Sequence, residues 1–315
     1  MRKIRVLVVE DSMVFRNLLV QGLNQDRALE VVATASDPFE ARDKIIEYRP
    51  DVMTLDIELP RMSGLEFLRK LMPQYPLPVV IISALSEKVF DAMKAGAVDF
   101  VAKPQVTERE QLRNFLCSEL PVKIKVASTA RVSRYKKPVA FAADQHLSVR
   151  SDIDIIAIGA STGGTEAIAE VIRDFSTDIP GTVIVQHMPP GFTEMYANRL
   201  DSQSRVKVKE AKNGDMVAPG QVLIAPGGSE HMSIVKVGDN YKVVLKKGEK
   251  VNGHCPSVDV LFNSVADVAG AHAIGIILTG MGGDGAKGLL KMQKNGARTI
   301  GQDEASCIVY GMPKV

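Results

Sequence analysis

Two groups of reactive side chains stand out in the 315-residue chain, each spread over segments far apart in sequence. In the first third, Glu10 and Asp11 follow the apolar run "IRVLVV", Asp56 closes "VMTL", Ser83 closes "VVIIS" and Lys103 closes "DFVAK". Three carboxylates brought together repel one another unless a hard divalent cation sits among them, and Mg²⁺ held by a few carboxylates and water fits that need. A metal-flanked Asp56 with a lysine and a hydroxyl nearby can accept a phosphoryl group, because Mg²⁺ and Lys103 would neutralise its equatorial oxygens. In the second half, Ser161 follows "IIAIGA", His187 follows "TVIVQ" and Asp284 follows "GIILTGMGG". A nucleophile, a base and an acid are the parts of a triad.

The turn around Ser161 has two competing readings. Gly159-Ala160-Ser161-Thr162-Gly163 matches G-x-S-x-G, in which small neighbours let a sharp strand-to-helix turn present a hydroxyl. A helix opening at Gly163-Gly164 would aim free N–H groups and its dipole at an anion forming beside Ser161. A dinucleotide fingerprint instead wants a glycine where Ser161 stands and an acid about 20 residues later. The next apolar run ends in Gln186-His187, so the nucleotide reading fails at both positions while the serine reading gains a base. Asp284 also fits as the N-cap of a helix beginning near Ala286, and spacing alone leaves both roles open. Asp259 and Asp215 are weaker candidates for the acid. His146, His231, His254 and His272 fall in a linker, in polar loops or before a strand, and read as surface or helix-entry residues.

The elements that must position these groups follow from periodicity. In residues 1–120, five runs rich in Val and Ile alternate with amphipathic stretches, the pattern of a parallel sheet covered by helices on both faces. "SDPFEARDKIIEY" carries helix-start signals, with Ser36 or Asp37 as N-cap and Pro38 at the first helical position. In residues 151–315, strands are expected at 153–158, 182–187, 206–211, 221–225 and 273–279, and helices at 164–174, 192–201, 258–268 and 286–295. "HMSIVKVGDNYKVVLKKG" reads as a hairpin turning at Gly238-Asp239-Asn240. The fold class is α/β, two doubly wound and mainly parallel sheets, the second Rossmann-like with an antiparallel hairpin. In both, the reactive residues sit at the carboxyl ends of strands, where ligand crevices form.

Composition narrows the function. Hydrophobic residues at 45% and charged residues at 24% describe a globular protein of about two domains, with no signal peptide or membrane span, and the expected location is the cytosol. Cys117, Cys255 and Cys307 are far apart and form neither a disulfide framework nor a zinc motif. Residues 121–150 carry Lys123, Lys125, Arg131, Arg134, Lys136, Lys137 and Arg150 against Asp144 alone, in a chain of net charge +2, so the remainder is net acidic. This basic stretch shows no clear helical or strand period and reads as a linker. Neither flanking domain looks built for nucleic acid, and no basic helix-turn-helix pattern argues for a DNA-binding regulator.

At these residues the chain resembles two known families. Residues 1–120 resemble the flavodoxin-like receiver domain of bacterial response regulators. The resemblance implies Asp56 as phosphoacceptor, Glu10 and Asp11 as its Mg²⁺ partners, Ser83 as the sensing hydroxyl, Lys103 as the contacting lysine and Phe100 as the switch aromatic. "GASTGG", "QHMPPGFT", "GHCPSVDVLF" and "LTGMGGDGA" are similar to the catalytic domain of the protein-glutamate methylesterases of bacterial chemotaxis, over about 151–313. That similarity implies a Ser161, His187, Asp284 triad with Thr162 and Met281 lining the site near the oxyanion, and no cofactor for the esterase. It further implies methylated chemoreceptors as substrates, deamidation of receptor glutamines, a sensor histidine kinase as phosphodonor, and activation by phosphorylation of a receiver folded over the active site. Relatives are expected to continue past "GMPKV" into a final helix and tail, so that Val315 reads as a trimmed or truncated end. The order Ser, His, Asp sets the chain apart from α/β-hydrolases. The competing class is a regulator whose second domain only binds a nucleotide or a protein.

Overall fold

The computed structural model describes residues 2–104, 107–132 and 152–315. The chain divides into two compact units, Met1–Pro138 and Val139–Val315. In the first, the five apolar runs form β1 (Ile4–Val9), β2 (Leu29–Ala35), β3 (Val52–Asp56), β4 (Val79–Ser83) and β5 (Asp99–Ala102), paired in parallel in the order β2-β1-β3-β4-β5. Helices α1 (Met13–Leu23), α2 (Pro38–Tyr48), α3 (Gly64–Leu71), α4 (Lys88–Lys94) and α5 (Arg109–Asn114) alternate with them. β1 sits between β2 and β3, so connections leave it in both directions and a crevice opens at its carboxyl end. The start of α2 keeps its sequence signals: the Asp37 carboxylate accepts the N–H groups of Phe39 and Glu40, and Pro38 occupies the first turn. Ser36 instead donates to Glu40.

The expected boundary at residue 120 is corrected. Past α5 a π-helical stretch, Phe115–Glu119, runs into α6 (Leu120–Ala127), so residues 121–127 are helix and not linker. Leu120, Ile124 and Ala127 form a buried stripe one to two turns long. The lysines read as linker charge are used: Lys123 pairs with Asp99 and Lys125 with Asp26, both at 2.8 Å. Arg134, Lys136, Lys137, His146 and Arg150 lie outside the described residues.

In the second unit, β6 (Ile155–Ala160), α7 (Gly164–Arg173), β7 (Gly181–Gln186), α8 (Phe192–Gln203), β8 (Lys207–Glu210), β9 (Met216–Val217) and β10 (Gln221–Ile224) follow in order. The hairpin β11 (Glu230–Val237) and β12 (Asn240–Lys247) turns at Gly238-Asp239 and pairs with β9 in a three-stranded antiparallel sheet. The chain then forms α9 (Val258–Ala269), β13 (Ala273–Ile277), α10 (Ala286–Lys294) and β14 (Arg298–Gly301). The main sheet is parallel throughout, in the order β14-β13-β6-β7-β10-β8. Its core packs Ala157, Val183 and Val185 with Leu261, Phe262 and Val265 of α9. β14 escapes sequence reading because "RTIG" is short and half polar. β6 lies between β13 and β7, and its carboxyl end is again a switch point. Among the described residues, no helix is long and apolar enough to cross a membrane.

Candidate active site

The three chemistry-bearing residues of the second unit come to one switch point. Ala160 of β6 pairs in register with Gln186 of β7, so the next residues, Ser161 and His187, leave adjacent strands side by side. The His187 N–H donates to the Ala160 carbonyl at 3.2 Å, which ties His187 to the strand that carries Ser161. Ser161 is 8% exposed, and its N–H donates to the Thr279 carbonyl at 3.0 Å. Gly280, next in that loop, comes so close that a Cβ there would lie 2.7 Å from the Ser161 Cβ, which requires glycine. Gln186 Nε2 donates to the carbonyls of both Ser161 (2.9 Å) and His187 (3.2 Å), bracing one against the other.

His187 Nε2 bonds Asp284 Oδ2 at 2.9 Å, and both side chains are nearly covered. Asp284 does not cap its own helix α10, whose N-cap is Gly285 in the left-handed conformation. It caps α9 from outside: Oδ2 accepts the Val258 N–H (2.8 Å), and Oδ1 accepts the Asp259 N–H (3.2 Å), the Ser257 hydroxyl (2.7 Å) and Asn252 Nδ2 (2.9 Å). Burial alone would raise the Asp284 carboxyl, but the hydrogen bonds from His187, Asn252 and Ser257 outweigh it and hold the group well below the usual carboxylate range. An ionised carboxylate only accepts, so the shared proton sits on His187 Nε2. His187 Nδ1 is then the basic nitrogen, and it is buried with no hydrogen-bond partner among the described residues.

Thr162 is buried and its carbonyl accepts the Thr279 hydroxyl at 3.0 Å, while the Met281 side chain is half exposed in the loop after β13. The expected row of free N–H groups at the α7 opening is corrected in part: the Gly164 N–H turns back onto the Ser161 carbonyl at 2.7 Å. Of the weaker acid candidates, Asp259 accepts from Asn252 Nδ2 and the Gly288 N–H, and Asp215 accepts from Lys209 and the Lys212 N–H. Neither bonds His187.

Four residues of this site are not found by sequence reasoning. Asn252 bridges Asp284 and Asp259. Ser257 donates to Asp284. His254 stacks on the His187 ring at 3.7 Å with 5° between planes. His231 is buried and spans the loop that carries these three, accepting the Ser257 N–H on Nδ1 and bonding the Glu249 carbonyl through Nε2. The one sequence signal is Asn252-Gly253, the dipeptide that favours a tight two-residue turn.

In the first unit, a carboxylate oxygen from each of Glu10, Asp11 and Asp56 can meet within 4.8 Å. Glu10 and Asp56 are buried and Asp11 is exposed. Lys103 Nζ lies 2.6 Å from Asp56 and 2.8 Å from Glu10. Burial pushes the Glu10 carboxyl up to about 7, with Lys103 opposing and Asp56 adding to the rise. Burial would lower Lys103, but its bonds to Asp56 and Glu10 prevail and raise it. Ser83 ends β4, and its carbonyl accepts the Lys103 N–H at 2.8 Å. Phe100 is buried and packs edge-on against Phe90. All five positions expected from sequence converge at or beside this carboxyl-end crevice, and Phe100 lies inward.

The fold and the two sites define a receiver-type sheet joined to an α/β unit with serine, histidine and aspartate gathered at its switch point. Residues 6–116 match the response regulator receiver domain family, and residues 156–315 match the CheB methylesterase family. A protein of Syntrophomonas wolfei named protein-glutamate methylesterase/protein-glutamine glutaminase 2 is 62% identical over 315 residues, covering 100% of this chain and 92% of that protein. One from Syntrophotalea carbinolica, named protein-glutamate methylesterase/protein-glutamine glutaminase, is 52% identical over 100% of this chain and 91% of its own length. The crystal structure of the Thermotoga maritima CheB methylesterase catalytic domain is 41% identical with a TM-score of 0.50, over 51% of this chain and 86% of that one. The chain therefore belongs to the protein-glutamate methylesterase/protein-glutamine glutaminase family.

Proposed function

We propose that this protein hydrolyses glutamate γ-methyl esters on chemoreceptors, and deamidates receptor glutamines, under control of receiver phosphorylation. The observation that carries this reading is the placement of Ser161 beside His187 on adjacent strands, with Asp284 bonded to His187 Nε2 at 2.9 Å. Ser161 Oγ attacks the ester carbonyl as its proton passes to His187 Nδ1. Collapse of the tetrahedral intermediate expels methoxide, which takes that proton and leaves as methanol. Water then attacks the acyl-enzyme, again giving a proton to His187, and the product is a glutamate carboxylate with Ser161 restored. A glutamine substrate follows the same path and releases ammonia. Asp284 fixes the tautomer and balances the imidazolium. The Ser161 N–H is engaged by Thr279, so the oxyanion donors are sought around Thr162 and Met281. None of these steps calls for a cofactor.

Glu10, Asp11 and Asp56 converge as a hard cation requires, and would hold Mg²⁺. When bound, the ion would neutralise phosphoryl oxygens during transfer to Asp56 from a sensor histidine kinase. Lys103 would contact the same oxygens, and Ser83 and Phe100 would respond to them. The reading sets the protein in the cytoplasm, acting on receptors without inserting into the membrane.

Methanol release from membranes bearing methylated chemoreceptor tests the reading. Ser161→Ala and His187→Gln should each lose most activity, about 10⁴-fold or more, with the fold retained. A Mg²⁺-dependent acyl phosphate should raise the activity of the native chain and leave Asp56→Asn unchanged. Near-native rates in Ser161→Ala would end the serine-nucleophile reading.

A further inference from the structure

His254 occupies a position that no step above uses. Val251 and His254 exchange both backbone hydrogen bonds at 3.0 Å, around Asn252 with φ +52° and Gly253 with φ +84°. Positive φ at both central residues is the geometry of a two-residue I′ turn, so the direction in which His254 leaves the chain is fixed. The strap from Glu249 to Ser257 is then anchored at separate points. His231 holds the Glu249 carbonyl at 2.8 Å and the Ser257 N–H at 3.1 Å. Asn252 holds Asp284 and Asp259, and Ser257 holds Asp284. A Cβ on Gly248 would lie 2.9 Å from the His231 ring, so the entry to the strap is tightly packed as well.

What this anchored strap delivers is the face of an imidazole. The rings of His254 and His187 are 3.7 Å apart between centroids and 5° from parallel. Two groups therefore fix the base: Asp284 in the ring plane, through Nε2, and His254 across one face. We propose that His254 is a positioning residue for His187, holding the ring plane in which Nδ1 must meet the Ser161 proton and lending its π face to the imidazolium formed in each half-reaction. This inference rests on the reading of His187 as general base.

A ring bonded only through Nε2 can swing about that bond, and a small misalignment of a proton acceptor is costly in rate. A parallel ring in contact removes that freedom and excludes water from the covered face. A cation over a neutral π face is also stabilised electrostatically, and more so where water is excluded. The first acts on the alignment of proton transfer and the second on the charged ring, neither on the bound substrate, so both should appear in kcat and leave substrate affinity alone.

The test uses the full chain and methylated receptor membranes, with kcat and KM measured separately. His254→Ala should lower kcat by about 10- to 30-fold with KM unchanged. His254→Phe, which keeps a flat face, should stay within about threefold of the native rate. In histidine-labelled protein, the ring-current shift of the His187 ring protons should vanish in His254→Ala and persist in His254→Phe. If His254→Ala loses the native circular dichroism spectrum, His254→Gln takes its place and the same contrast with Phe applies. A folded His254→Phe as slow as the Ala or Gln variant overturns the proposal, and so does an Ala variant with native kcat. Ser161→Ala and His187→Gln, assayed alongside, separate the two levels. If those variants are active, the triad reading fails; if they are inactive while His254→Ala runs at the native rate, only the role of His254 falls.

Discussion

Asp284 and Asp259 cap each other's helices. Asp284 precedes α10 yet accepts the Val258 and Asp259 N–H groups at the start of α9, while Asp259, in the first turn of α9, accepts the Gly288 N–H in the first turn of α10 at 2.6 Å. Asn252 Nδ2 donates to both carboxylates and joins them. Each carboxylate thus satisfies donors that a helix start leaves open, and each gains from the partner helix dipole. The carboxylate bonded to His187 is thus held by the packing of two helices.

This crossed arrangement changes what Asp284→Asn should do. An exposed cap tolerates the change because Asn caps about as well as Asp. Here the carboxylate accepts from five donors, His187, Asn252, Ser257, Val258 and Asp259. An amide turns an NH₂ toward some of them and leaves buried donors opposed. Loss of about 2–4 kcal/mol in stability is expected. The esterase rate should fall about 10³- to 10⁴-fold through the wrong His187 tautomer. Denaturant melts and methanol release measure the two effects on one preparation, and an unchanged melting midpoint would contradict the crossed capping.

The same carboxyl makes stability depend on pH in a defined direction. Its folded value is depressed, so its contribution is fully present above the unfolded value of about 3.9 and is lost as pH falls toward the folded value. Stability of the second unit should therefore drop as pH falls below about 4. Asp284→Asn should flatten that part of the curve, because the titrating group is gone. Melts at pH 5, 4 and 3 on both proteins check this, and parallel slopes would count against it.

How much of this was legible in the sequence follows from where each residue gets its meaning. Ser161, His187, Asp56 and Lys103 each end or directly follow an apolar run, and parallel sheets gather strand ends, so their meeting could be inferred from periodicity, whereas spacing left Asp284 open between an acid for His187 and a helix cap. Asn252, His254, Ser257 and His231 carry no such mark. Their roles arise from a strap that crosses the site, and polar loop residues look alike until their partners are known. The crossed caps were hidden because spacing relates an acid only to its own helix. α6 was read as linker because a stripe of three apolar residues is short, and the partners of Lys123 and Lys125, Asp99 and Asp26, are remote in sequence.

Mg²⁺ binding at Glu10, Asp11 and Asp56 should strengthen as pH rises through about 7, where the buried Glu10 carboxyl titrates. A raised carboxyl contributes stability that is present below its unfolded value and lost as pH rises through the folded one, so the metal-free receiver unit should weaken between about pH 4.3 and 7. A cation needs the carboxylate and competes with the proton. Titration calorimetry should show affinity up to about tenfold lower at pH 6 than at pH 8. Glu10→Gln should bind more weakly and lose that pH dependence. An affinity flat across this range in the native chain would remove Glu10 from the site.

Gln186 offers the sharpest separation of geometry from chemistry, because it touches Ser161 and His187 only through their backbone carbonyls. Its Nε2 donates to the carbonyls of Ser161 and His187, and its Oε1 packs so closely on Gly164 that any Cβ there would collide with it. Gln186→Met keeps the length and loses both bonds. The Ser161 carbonyl retains the Gly164 N–H, so stability should fall by only about 1–2 kcal/mol. The rate should suffer more than stability does, about 10- to 100-fold in kcat with KM kept, since the nucleophile and base are no longer braced against each other. Gly164→Ala would bring a Cβ 2.1 Å from that Oε1 and 2.6 Å from the Ala160 Cβ, so it should push the amide off its carbonyls and cost at least as much in rate without altering Gln186. If both act through one brace, the double variant should be scarcely slower than either single one, a coupling that additive, independent defects would not show. Fully additive losses in kcat would mean that Gln186 and Gly164 affect the site separately.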